Sequence, residues 1–335
     1  MEIVLLLEWT LVQIINNGLN EGFADFGESV AISDDCNVIA VGAPSAQYDQ
    51  FVGAVKYLRR RSDGLFREDF SVFGLQIKST GLYVALSGDG NTVVVPEEKY
   101  TYDEYSNTWT GIVRVFRYQN EILQQVGQTL HGENQLRYRF GTTVAISTSG
   151  DILAVAAEVN EGGSGIGKRA GVVKVYKLVD GTTWEQMGRT LTGQNAYEEF
   201  GDGLSLSGDG LTMAIGASYK DPNTGYLQVF QYKDTDWVQI GDTIVGQCAK
   251  KCTGMHVSLS KNGKVLVDGG EKEARIFQFK NNNWYQISEG FDFDGDFWLY
   301  EDGIGVSISG DGKVVAMGDT VKQFVKTVDI EALVL

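Results

Sequence analysis

The sequence predicts an all-β chain: a single domain over residues 1–335, folded as a six-bladed β-propeller of four-stranded blades, with seven blades as the alternative count. Three observations predict it. One unit recurs along the chain, as "FGESVAISDDCNVIAVGAP" at 26–44, "FGTTVAISTSGDILAVAA" at 140–157 and "FGDGLSLSGDGLTMAIGA" at 200–217. Each copy sets two short apolar runs on either side of a turn rich in Asp, Gly or Asn, as two strands of a hairpin do. The composition, with 42 glycines, 3 prolines and 11% aromatics, suits many short strands joined by tight turns. A fixed repeat outranks chain length as a guide to domain count, because a repeat array is one architecture however long it runs.

The elements follow in order within the unit. First strands end at Ser33, Ser87, Ser147, Ser207, Ser260 and Ser309, at steps of 54, 60, 60, 53 and 49 residues. The turns that follow, such as "DDCN", "GDGN" and "KNGK", combine a side-chain acceptor for local backbone N–H groups with a Gly or Asn that accepts positive φ. Second strands read "VIAV" or "LAVA". Third strands read "GAVKYL" at 53–58, "GIVRVF" at 111–116, "GVVKVY" at 171–176, "GYLQVF" at 225–230 and "ARIFQF" at 274–279. Their alternation of apolar residues with Lys, Arg or Gln predicts half-exposed strands. Tryptophan opens the fourth strand in "WEQMG" at 184, "WVQIG" at 237 and "WYQIS" at 284.

The two ends complement each other. "EWTLVQI" at 8–14 matches a fourth strand with no first three, and residues 305–309, 313–317 and 321–327 supply a first three with no fourth. The amino-terminal strand is therefore expected to close the last blade, removing the open sheet edges that invite aggregation. Reading Glu2–Leu7 and Trp9–Ile15 as two strands would leave one residue for the turn, which argues against a seventh blade.

Charge and cysteine content exclude several functions. Net charge is −16, and such a polyanion repels phosphate backbones and anionic head groups, so neither nucleic acid nor the membrane is an expected partner. No apolar run approaches the ~18–20 residues of a membrane span. "MEIVLLLEW" has five consecutive apolar residues between two glutamates and reads as a strand rather than a secretory leader. The expected state is a monomer or a component of a larger assembly. Of the three cysteines, Cys36 stands alone, while Cys248 and Cys252 in "GQCAKKCTG" form either a local disulfide or two free thiols. They lack the further ligands of a zinc site.

Phe26-Gly27, Phe140-Gly141 and Phe200-Gly201, with Gly42-Ala43-Pro44 and the looser Gly216-Ala217-Ser218, resemble the FG-GAP class of β-propeller repeat found in integrin α-subunit heads. The resemblance covers nearly the whole chain. It implies a propeller fold, an adhesion-type binding role and an extracellular or cell-surface setting, the last on this resemblance alone. The chain departs from the family at its calcium loop: turns such as "SDDCN" and "SKNGK" are too short to give calcium six to eight oxygens.

Alternating strands put the 2–3 and 4–1 connections on one face. These are the long ones, at 96–111, 158–171 and 289–303, and long loops on a rigid scaffold are where binding residues concentrate. Tyr102, Tyr105, Trp109, Tyr138, Tyr197, Trp298 and Tyr300 are the candidate anchors for a protein or glycan ligand. In "DFDGDFW", Asp292, Asp294 and Asp296 alternate around Gly295, with Glu301 or Asp302 nearby, and form a candidate weak calcium site; no other cofactor is expected.

A catalytic constellation is not legible. His131 and His256 lack a nucleophile at any readable spacing, the six first strands as bounded above contain no Arg, and Glu97–Glu98 is a pair that carboxylate abundance makes inevitable. The expectation is a non-catalytic binding module with no catalytic residues. A glycan-active hydrolase with its site at the channel mouth and a structural scaffold are the alternatives.

Overall fold

The computed structural model describes residues 13–15, 25–48, 51–74, 80–102, 107–132, 138–159, 169–218, 224–246, 253–270, 273–292, 304–319 and 324–329. They form six repeats of antiparallel sheet. The first repeat contains Val30–Ile32, Val38–Tyr48, Phe51–Arg60 and Phe66–Phe73, side by side in chain order. The second contains Ala85–Leu86, Thr92–Tyr102, Asn107–Gln119 and Ile122–Gln125, and the third Tyr138–Ile146, Ile152–Val159, Val172–Val179 and Thr183–Gln186. The fourth contains Phe200–Leu206, Thr212–Ala217, Tyr226–Lys233 and Asp236–Gln239, and the fifth His256–Leu259, Val265–Gly269, Glu273–Lys280 and Asn283–Gln286. In the sixth, Ile304–Ile308, Val314–Asp319 and Phe324–Asp329 are described. Among the described residues no helix is long and apolar enough to cross a membrane.

The recurring serine explains the hairpin. Ser207 Oγ donates to Asp209 Oδ1 at 2.6 Å and accepts from Thr212 N at 2.9 Å, while Asp209 Oδ1 accepts from Leu211 N. Ser33–Asp35, Ser87–Asp89 and Ser309–Asp311 repeat the device, with Asn262 in place of Asp after Ser260. The next position takes a left-handed backbone. It is Gly90, Gly150, Gly210, Gly263 or Gly312 in five repeats and Cys36, at φ 57°, in the first.

First strands of successive repeats are neighbours and form the inner wall. Their turns are linked by backbone hydrogen bonds: Asp34 N to Gly88 O, Asp89 N to Thr148 O, Thr148 N to Gly208 O, Gly208 N to Lys261 O and Lys261 N to Gly310 O, all within 2.9–3.0 Å. Lys261 of the fifth repeat also pairs with Asp34 of the first. At the periphery the fourth-strand tryptophans lock onto the preceding repeat: Trp184 Nε1 donates to Val126 O at 3.0 Å and Trp237 Nε1 to Met187 O at 2.8 Å. Apolar faces packed between adjacent sheets form the core, with Trp237 fully buried.

Three expectations are corrected. Residues 96–111 are not mainly a loop: the hairpin stays in register from Thr92↔Arg117 to Tyr102↔Asn107, because β-branched and aromatic residues continue its ladder. The fourth strands of the second to fifth repeats are broken, while that of the first, Phe66–Phe73, is continuous. A two-residue piece, such as Leu191–Thr192 or Ile244–Val245, pairs separately with the start of the third strand. The third strands are also less exposed than their alternation suggests. Arg114 and Arg275 are buried, because Glu97 and Asp268 neutralise them from the neighbouring second strands. Arg275 Nη2 meets Asp268 Oδ2 at 2.9 Å, and Gly254 N donates to Asp268 Oδ1 at 2.8 Å.

Candidate functional site

On the face of the 2–3 and 4–1 connections, charged residues stand at the rims of the inner two strands. The register pairs Arg139, just before Phe140-Gly141, with Glu158 at the end of the next strand. Glu98 is the counterpart of Glu158 in the second repeat: each lies eleven residues beyond its repeat's serine. Arg169 precedes the third strand of the third repeat, and Glu199 precedes Phe200-Gly201.

These residues form one chain of alternating charge across three repeats. Arg139 Nε and Nη2 donate to Glu98 Oε1 at 3.0 and 2.7 Å, and its Nη1 donates to Glu158 Oε2 at 2.9 Å. Arg169 Nε lies 2.9 Å from Glu158 Oε1, and its Nη2 pairs with Glu199. The Nε contact is an ion pair whose angle falls short of a hydrogen bond, and the Nε atom is buried. Ser218 Oγ ends the chain, its single proton directed to Asp202 with Glu199 Oε2 3.4 Å away. Desolvation pulls the Arg139 guanidinium's pKa down, but Glu98 and Glu158 more than compensate and hold it above its usual value.

The chain walls a cavity of about 160 Å³, lined by Tyr83, Arg139, Glu158, Arg169, Glu199 and Asp202 among others. That is room for one small ring and below the range of drug-sized pockets. Desolvation foremost pushes the Tyr83 phenol above its ordinary value. Arg169 and Glu199 both take left-handed backbones, φ 54° each, a strain that non-glycine residues sustain where the surrounding structure demands it.

The sequence-derived candidates fall elsewhere. Tyr138 opens its strand, its backbone paired with Thr110, and Tyr197 is 47% exposed on the loop before Glu198. Tyr102 and Trp109 extend the second repeat's hairpin. Tyr105, Trp298, Tyr300, Asp294, Asp296, Glu301, Asp302, Cys248 and Cys252 lie outside the described residues. Asp292 pairs with Glu273 in a short strand, and no group of three potential metal ligands occurs among the described residues. Glu97 and Glu98 do not act as a pair, since Glu97 is buried against Arg114 and Glu98 meets Arg139. The first strand of the third repeat begins at Tyr138, two residues before the Phe-Gly, and so contains Arg139. That corrects the expectation that first strands lack arginine. The sequence carries no periodic signal for the pair: Arg139 and Glu158 stand eight residues before and eleven after Ser147, and the position of Glu158 is Pro44 in the first repeat.

Six antiparallel sheets around inner first strands define a β-propeller protein. No family model and no curated protein matches the chain. Among solved structures it is similar to a protein assigned as a 6-phosphogluconolactonase from Bacteroides uniformis, at 16% identity and a TM-score of 0.54, over 90% of this chain and 84% of that one. A periplasmic gluconolactonase of Pseudomonas aeruginosa gives 16% identity and a TM-score of 0.55 over the same shares. A functionally unknown protein from Desulfotomaculum acetoxidans gives 10% and 0.61, over 93% of this chain and 84% of that one. Likeness at this identity establishes the fold. It supports neither FG-GAP membership specifically nor a cell-surface adhesion role. The expectation of a non-catalytic binding module is overturned, since the neighbours that carry functional names include two lactonases, which are enzymes.

Proposed function

We propose that the chain hydrolyses small cyclic esters, with its site in the cavity of Arg139, Arg169 and Asp202. The observation that carries this reading is the meeting of two guanidiniums and several carboxylates in one small, partly desolvated cavity. The two neighbours named as lactonases support the reaction class. Ester hydrolysis needs a donor for the oxygen that becomes negative and a base for the attacking water. The Arg169 guanidinium, at the cavity wall, is the donor. Asp202, oriented by Ser218, takes the water proton. The new C–O bond forms as the ring C–O bond breaks, and the ring oxygen leaves as a hydroxyl with the proton from Asp202. The product is an open-chain hydroxy acid.

The test is acid release at constant pH from glucono-1,5-lactone and from five-membered sugar lactones, measured above the spontaneous rate. The parent should accelerate ring opening. Arg169→Gln should lower kcat/KM by about 10²–10³, the usual effect of removing one oxyanion donor, with its circular dichroism spectrum unchanged. A parent that accelerates none of these lactones would sink the reading.

A closed six-bladed ring is part of the same proposal, with the amino-terminal segment supplying the fourth strand of the last blade. Gln13 supports it. Its Nε2 donates to Phe66 O at 3.0 Å and its Oε1 accepts from Phe66 N at 2.8 Å. Gln128 makes the same two-point clasp on Trp184 in the following repeat, at 2.7 and 2.9 Å. The Lys261–Asp34 pair supports it from the opposite face. The finer FG-GAP reading rests on the buried Phe140 and Phe200 of the Phe-Gly pairs.

A further inference from the structure

We infer that the cavity selects its substrate by charge, admitting a neutral ring and rejecting a phosphorylated one. This rests on the proposed lactone-cleaving site but is read from different observations. Three carboxylates, Glu158, Glu199 and Asp202, line the cavity against two guanidiniums. Glu98 adds a fourth carboxylate behind Arg139. Among the described residues of this cluster, two positive charges face four negative, a net of −2, inside a chain of net charge −16.

The guanidiniums are also already engaged. Arg139 is shared between Glu98 and Glu158, and Arg169 between Glu158 and Glu199. A phosphate dianion entering here would have to displace a carboxylate from its arginine, leaving that carboxylate desolvated without its counter-charge. A neutral hydroxylated ring meets no such penalty. It can donate its hydroxyls to the carboxylates and accept at its carbonyl from the guanidinium of Arg169 at the cavity wall. Mobile ions reach these groups, since the Arg139 and Arg169 side chains are 34% and 43% exposed, so added salt weakens the discrimination.

The experiment measures binding, which needs no turnover. Gluconolactam, a stable ring analogue, its 6-phosphate and its cationic 6-amino derivative are titrated calorimetrically into the intact protein. The neutral and cationic rings should bind, and the 6-phosphate should bind at least tenfold more weakly. Raising salt from about 20 to about 500 mM should narrow that gap, which exclusion by size alone would not do. Glu199→Gln, checked for native circular dichroism, should recover phosphate binding several-fold, and Glu158→Gln should do the same by a second route.

A 6-phosphate that binds the parent as tightly as the neutral ring, a gap insensitive to salt, or no binding of any of the three rings would each overturn the inference. Charge-ordered binding without lactone hydrolysis would leave this inference standing and remove the reaction. Hydrolysis with a preference for phosphorylated rings would do the reverse.

Discussion

At the residue scale, Cys36 is the exception in a recurring turn. It holds φ 57° where the other five repeats use glycine, and it is exposed, so the thiol contributes little packing to offset the strain. Left-handed backbone costs a non-glycine residue about 1–2 kcal/mol, part of which returns as unfolded-chain entropy when glycine replaces it. Cys36→Gly should therefore stabilise the protein by about 0.5–1 kcal/mol, read as a rise in denaturation midpoint with unchanged slope. The aspartates of the same turns carry a pH dependence. The Ser33 hydroxyl foremost, then Asn37, holds the Asp35 carboxyl below its ordinary value, and Ser309 does the same for Asp311. Carboxylates lowered by folding stabilise fully above their unfolded pKa, and that contribution is lost as pH falls through the folded value. Thermal melts at pH 6, 4 and 3 should show a drop concentrated below about pH 4. The drop should shrink in Asp35→Asn and Asp311→Asn. These turns were legible because Ser, Asp and Gly recur at fixed offsets. The Arg139–Glu158 pair was not, since two polar residues nineteen positions apart leave no periodic trace.

At the element scale, alternation in the third strands misled because it equates polar with outward. Arg275 occupies the position held by Lys56, Arg114, Lys174 and Gln228 in the other repeats, yet its side chain is only 2% exposed. Burial pushes the Asp268 carboxyl up, and Arg275 together with Gly254 N pulls it back, so the pair survives only as a unit. Removing one member of a buried pair typically costs 3–5 kcal/mol. Asp268→Ala should lose about 3–5 kcal/mol in chemical denaturation, and Asp268→Ala with Arg275→Met should recover much of it. A double variant as unstable as the sum of the two singles would show that the two residues act independently. The tryptophan-led strands were legible for the opposite reason. A large indole needs both a buried surface and an acceptor, and Trp184 and Trp237 find both on the preceding repeat.

At the scale of the whole molecule, the repeat spacing disclosed six units, while the candidate site lies in residues that break the repeat. The cavity arises where the second, third and fourth repeats carry Glu98, Arg139, Glu158, Arg169 and Glu199 at rim positions. In the first repeat, the position of Glu98 and Glu158 is Pro44. Repetition builds the scaffold, so its signal is strong. The site depends on departures from repetition, which a repeat alignment averages away. Closure is the corresponding global prediction. Deleting residues 1–16 removes the Gln13 clasp on Phe66 and exposes two strand edges. Soluble, folded protein should be lost, as assessed by size exclusion and melting. A truncated chain that melts like the parent would show that the ring is completed by other means.

The hydrogen bonds between the inner turns all run one way. From Asp34 to Gly310, each donor is an amide of one repeat and each acceptor a carbonyl of the next. At Thr148, Gly208 and Lys261 the same residue both gives and receives, so consecutive bonds share peptide units or adjoining ones. Bonds arranged head to tail polarise one another, and opening one link weakens its neighbours. Solvent deuterium should therefore enter the Thr148, Gly208 and Lys261 amides at matched rates and with a matched dependence on denaturant, as one cooperative opening, although these residues lie more than fifty positions apart along the chain.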